Sequence, residues 1–151
     1  MHSAAEPTEV SVLDRDRLEL WITLAGAAHF GVLVASALVP VRLDWRRALA
    51  PLPHLQRQLH WVYGGYTALA IVAFGTLSLL NAGELAGGSL LARSLCAYMA
   101  LFWAIRLALQ RVLDVEAHLG ARWLRLGYHA LTVVFAFFVV VFSVAAFGPG
   151  R

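Results

Sequence analysis

Four residues in this sequence pair an ionisable side chain with a setting in which ionisation is costly. His29, His60, Arg106 and His129 each border or interrupt a long run of Leu, Val, Ala and Phe. A neutral imidazole can ligate a haem iron or a transition metal through one ring nitrogen while the other hydrogen-bonds. A guanidinium stays charged at any relevant pH and, out of water, calls for an anion such as a lipid phosphate, a propionate or a substrate carboxylate. His29, His60 and His129 are therefore candidate cofactor ligands, with haem or a metal as the cofactor, and Arg106 is the candidate counter-charge.

Helical spacing extends the set, because positions three, four and seven apart share a face. Met99, Trp103, Arg106 and Gln110 align. So do Arg122, Arg125, His129 and Thr132, and so do His60, Gly64 and Thr67, with Tyr63 beside them. Gly26, His29, Leu33 and Ser36 form a fourth stripe. At about 1.5 Å of rise per residue, Arg106 and His129 lie roughly 10 Å inside one membrane border, and His29 lies one to two turns deeper. The stripes are expected to converge on a small polar cavity lined by Tyr63, Thr67, Trp103, Gln110, Arg125 and Thr132.

Structural alternatives stand beside each assignment. Arg106 can snorkel past Gln110 toward Asp114, and His129 can bond a backbone carbonyl or Tyr63. His29 can serve as a hydrogen-bonded core residue, and His60, beside Trp61, as an interfacial one. Ala27, Gly31 and Ala35 form a small-residue stripe opposite His29 that could be the packing surface of its helix. His29 and His129 differ by about 6 Å in estimated depth, which is awkward for one haem held between them.

The elements that must position these groups are helices in lipid. Of 151 residues 60% are hydrophobic and 14% charged, with a mean hydropathy of +0.71. A water-soluble domain carries about a quarter charged residues. Four runs, 18–41, 59–80, 90–113 and 122–147, reach the roughly 20 residues needed to cross about 30 Å of hydrocarbon. Backbone polar groups have no water to bond there, so each run must be helical. The expected fold is all-α: an integral membrane four-helix bundle, antiparallel up-down-up-down with short connections. Residues 1–17 form a flexible polar N-terminus and 18–148 one membrane domain. Residues 81–89 carry three glycines and suit a tight hairpin, while 41–58 are expected along the interface with Trp45 as an anchor. The first run lacks a basic leader and a small-residue cleavage site, so it reads as a retained helix.

Orientation follows from arginine, the sole source of the 12 basic residues. Arg42, Arg46, Arg47, Arg57, Arg111, Arg122 and Arg125 gather at one border; Arg15, Arg17, Arg93 and Arg151 lie at the other. The positive-inside rule places the long connections in the cytoplasm and both termini outside, with the plasma (inner) membrane as the expected location. A constant offset relates Arg57, Leu59, Tyr63, Thr67 and Ser78 to Arg122, Leu124, Tyr128, Thr132 and Ser143, too few matches in an apolar stretch to establish a duplication.

Recognised site patterns are absent: there is no H-E-x-x-H, C-x-x-C, P-loop, G-x-S-x-G or G-x-G-x-x-G. Cys96 is the one cysteine, and no acidic residue lies deep inside a span. That removes dicarboxylate metal centres and Ser-His-Asp hydrolysis, and arginines spread along span borders do not suit nucleic acid. The leading expectation is a binding or accessory subunit that meets the bilayer and a homo-oligomer or larger membrane complex, with no enzymatic role. The alternatives are a haem- or metal-binding redox protein and a small-anion transporter in which Arg106, Arg125 and Gln110 line the entrance.

Overall fold

The computed structural model describes residues 9–42, 44, 47, 49–112 and 122–148. Five helices occupy them: α1 (Glu9–Arg42), α2 (His54–Leu80), α3 (Ala82–Gly87), α4 (Leu90–Val112) and α5 (Arg122–Phe147). All but α3 contain an apolar segment long enough to cross a membrane, namely Asp14–Leu38, His54–Leu80, Leu90–Gln110 and Arg125–Phe147. The 27 residues of α2 extend about 40 Å, more than the roughly 30 Å of hydrocarbon. The protein is therefore an all-helical, integral membrane chain.

Three boundaries differ from the sequence reading. The first helix starts at Glu9 rather than near Leu18, so it projects beyond its apolar segment. His54, assigned to a connection, opens α2 directly after Pro53, whose φ of −50° suits a helix start. The stretch 81–89 is not a bare hairpin turn but contains the six-residue α3. Gly88, with φ 73°, ends α3 in a left-handed conformation that a side chain disfavours. Ser89 then caps α4 by accepting a hydrogen bond from the Ala92 N–H (3.2 Å). Trp45, Asp114 and His118 lie outside the described residues, while Asp44 and Arg47 form an exposed ion pair at 3.2 Å.

In hydrocarbon a hydroxyl also needs a partner, and the helices supply one internally. Thr23, Thr67, Ser94 and Thr132 each donate to the carbonyl one turn back, at 2.8–3.0 Å. Ser78, fully buried, is the exception, its Oγ having no partner.

Packing divides into two pairs, α1 with α2 and α4 with α5, bridged by α1 against α5 and by α3. Glycine sets the first pair's closeness. A Cβ on Gly26 would lie 2.9 Å from Leu79 Cγ and 3.0 Å from its backbone N, and one on Gly75 would lie 3.0 Å from His29 Cβ. Such approach gains van der Waals contact where lipid leaves no hydrophobic drive between helices. The Ala27–Gly31–Ala35 stripe is therefore not the packing surface: Ala27 and Gly31 are exposed and Ala35 half-buried.

The end carrying α3 is tied down. Arg15 Nη2 donates to Gly83 O (3.3 Å), and Arg93 Nε donates to Ala146 O (2.8 Å), satisfying a carbonyl at the C-terminus of α5. The core lies in this half, with Leu18, Ile22 and Ala25 of α1, Phe74 of α2, Leu85 of α3, Cys96, Met99 and Trp103 of α4, and Phe138, Phe142 and Ala145 of α5 all buried.

Candidate functional site

His29 sits at the centre of that core and is fully buried, as the α1 stripe running through Ile22 and Ala25 requires. Its Nδ1 is 2.6 Å from Ala25 O, and its Nε2 is 3.1 Å from Trp103 Nε1. A carbonyl only accepts and an indole N–H only donates, so Nδ1 carries the proton and Nε2 accepts. The ring is thereby fixed as one neutral tautomer linking α1 to α4. Phe138 stacks on it at 4.1 Å between centroids, while Trp103, Phe142 and Phe74 approach edge-on at 5.2, 5.9 and 6.4 Å. Trp103 in turn stacks on Phe135 at 5.0 Å. Aromatic pairs at such separations prefer these offset and edge arrangements.

Both ring nitrogens of His29 are thus engaged within the protein: ligation through Nε2 would break the bond that joins α1 to α4, and ligation through Nδ1 the bond to the preceding turn of α1. His129 is elsewhere. It is exposed and belongs to an outward stripe of α5 with Arg125, Val133 and Val140; its ring neighbour is Tyr128, at 5.6 Å. His60 is half-buried beside Trp61, 6.1 Å between rings. Among the described residues no three His, Cys, Asp or Glu side chains assemble into a metal-binding group. The expected convergence of the four polar stripes does not occur. Two separate features replace it.

The first is a polar node between α4 and α5. Gln110, 6% exposed, donates through Nε2 to Thr132 Oγ1 (2.8 Å) and to Tyr128 O (3.3 Å). Tyr128 Oη returns a bond to Gln110 O at 2.8 Å. Thr132 spends its own proton on Tyr128 O, which is why it accepts from Gln110. Gln110 Oε1 remains buried with no partner. Tyr128 was not among the expected cavity residues, although its place one turn before Thr132 was the available signal.

The second is a gap. Each helix has a core-facing stripe, and in the half holding α3 its members are buried. Continued toward the far end, the stripes arrive at Ser36, about two turns beyond His29; Gly64, about three turns before Gly75; Arg106, about two turns beyond Met99; and Gly127, about three turns before Phe138. All four are exposed. A Cβ on Gly64 or Gly127 would meet nothing within 4 Å. Tyr63, Tyr66 and Thr67 on α2 are exposed as well. Among the described residues, the inward stripes of the two helix pairs are therefore covered around His29 and exposed beyond it, which outlines a cleft at the far end.

Arg106 marks that cleft. It lies on one face of α4 between buried Trp103 and buried Gln110, yet is itself exposed. Its guanidinium carbon stands 5.5 Å from the centre of the Phe135 ring, a cation–π contact with the wall. The ion pair found among the described residues, Asp44 with Arg47, does not involve it. No family model, curated protein or solved structure matches this chain.

Proposed function

We infer that this chain is a membrane-embedded binding module, an accessory component whose bundle is completed by a second constituent of the membrane lodged in the cleft. The observation that carries this reading is the exposure of Arg106 at an inward-facing position of a membrane-spanning helix. A guanidinium held there is costly without an anion, and the four spans carry no carboxylate at its depth.

The arrangement that fits is an antiparallel up-down-up-down bundle with short connections. Gly26 against Leu79 and Gly75 against His29 support opposite directions for α1 and α2. Arg93 on Ala146 and Gln110 on Thr132 support the same for α4 and α5. The arginine bias supports a plasma (inner) membrane location with the termini outside and the cleft opening toward the cytoplasmic leaflet. A haem held by His29 and His129 draws no support from this geometry, because His29 is committed on both nitrogens and His129 lies on an outward face.

Extraction from native membranes in a mild detergent tests the reading. The module should carry a protein or lipid component through size exclusion. Elution as a bare 16.5 kDa monomer, with neither bound, counts against it.

A further inference from the structure

We propose that the occupant of the cleft is an anionic phospholipid, its phosphate paired with Arg106 and its acyl chains laid between the α1–α2 and α4–α5 pairs. The inference rests on the binding-module reading and names the ligand. Charge complementarity gives the sign: Arg106 is a permanent cation on an inward-facing stripe, and its contact within the described residues is the face of Phe135. Within the four spans a second copy of the chain offers no carboxylate at the depth of Arg106, its Glu19 lying at the α3 end of α1. A small soluble anion would have to enter between exposed apolar walls.

The gradient along the cleft gives the shape. Its inward positions begin near the far border with Arg57 and His60, both half-buried, and with Arg106. Deeper in, they turn apolar through Ala68, Ile71 and Val32 and end on the Trp103–His29 aromatic floor. The Arg57 and Arg106 guanidiniums above and hydrocarbon below match a molecule with one anionic head and long chains. Gly64 and Gly127, each with open space at its Cβ position, leave room for those chains. Arg106 lies six positions inside the described end of α4, roughly 9 Å, and a snorkelling arginine spans most of that distance to a phosphate.

The test uses the full-length protein in nanodiscs of phosphatidylglycerol and phosphatidylcholine with identical acyl chains, mixed in equal parts, followed by native mass spectrometry of the lipid retained. Phosphatidylglycerol should be retained about fivefold over phosphatidylcholine. Arg106→Gln should abolish the preference, Arg106→Lys should keep most of it, and Arg125→Gln, on the outward stripe, should leave it intact. Equal retention of both lipids by the wild type overturns the proposal. So does an Arg125→Gln loss as large as that of Arg106→Gln, which would assign the preference to the basic border in general. A second arm places p-benzoylphenylalanine at Gly64 in native membranes. Cross-links to lipid support the proposal. Cross-links to another protein overturn the lipid assignment while the binding module stands. Cross-links to α4 or α5 of the same chain show a closed bundle and remove both.

Discussion

Trp103→Phe and His29→Phe, singly and together, form the sharpest probe of this fold. Each single change removes one end of the 3.1 Å indole–imidazole bond and leaves the other end facing hydrocarbon. In Trp103→Phe the orphan is His29 Nε2; in His29→Phe it is the indole N–H, and Ala25 O loses its side-chain donor but keeps its helical one. An unsatisfied buried polar group costs about 1–3 kcal/mol in water-soluble proteins. Polar pairs in membranes average only about 0.6 kcal/mol and reach about 1.7 kcal/mol, because the unfolded helices find other partners. His29 is fully buried in an aromatic cage with no competing acceptor among its ring neighbours, so the upper part of the membrane range applies, a coupling of about 1–1.5 kcal/mol. The ring-volume losses appear in both single changes and cancel in the cycle. The assay is reversible unfolding in mixed micelles, titrating a denaturing detergent against a mild one and following helix content and tryptophan fluorescence. Expected is a double variant less destabilised than the sum of the singles by that coupling. Additivity within about 0.5 kcal/mol, the scatter of independent sites, would refute the assignment of His29 as the junction between α1 and α4.

Other substitutions separate the closed half from the open one. Gly75→Ala should destabilise by about 1–3 kcal/mol, because the new methyl would stand 3.0 Å from His29 Cβ and from Phe30 Cε2; Gly64→Ala, with open space at its Cβ, should be neutral or stabilising by up to about 1 kcal/mol, and the same micelle titration reads both. Tyr128→Phe, which frees Gln110 O, should cost about 0.5–1.5 kcal/mol and speed amide hydrogen exchange at the start of α5 before the rest of the chain. Cys96 is fully buried, so a maleimide should label the native protein only after denaturation. With Cys96 replaced by Ala, single cysteines at Arg47 and at Ser89 should react from opposite faces of sealed vesicles, Arg47 from the cytoplasmic one; labelling of both from one face would discard the proposed topology.

The membrane-spanning helices were legible from length and hydropathy alone, because absence of water leaves the backbone no other choice. Their ends were less so. Glu9–Leu18 carries Asp14, Arg15, Asp16 and Arg17, which no hydropathy scale extends into a span, yet Arg15 reaches α3 and the helix continues through them. The stripe logic identified Trp103, Gln110 and Thr132 as inward groups but treated inward as convergent. It had no access to the distance between helices, which Gly26 and Gly75 set at one end and which no described glycine sets at the other. His29 illustrates the limit. Depth estimates compared it with His129 on α5, whereas its partner, Trp103 on α4, became evident only once the faces were placed in three dimensions. Arg125 and His129 share an angular position with exposed Val133 and Val140, a signal present in the sequence but outweighed there by their proximity to Thr132.

The glycine-rich bridge between α2 and α4 carries a consequence for biogenesis. Each helix pair makes its own internal contacts, and the pairs touch chiefly around His29 and α3. The first pair can therefore leave the insertion machinery and reside in lipid while the second is still being synthesised, and docking waits for Trp103 to arrive.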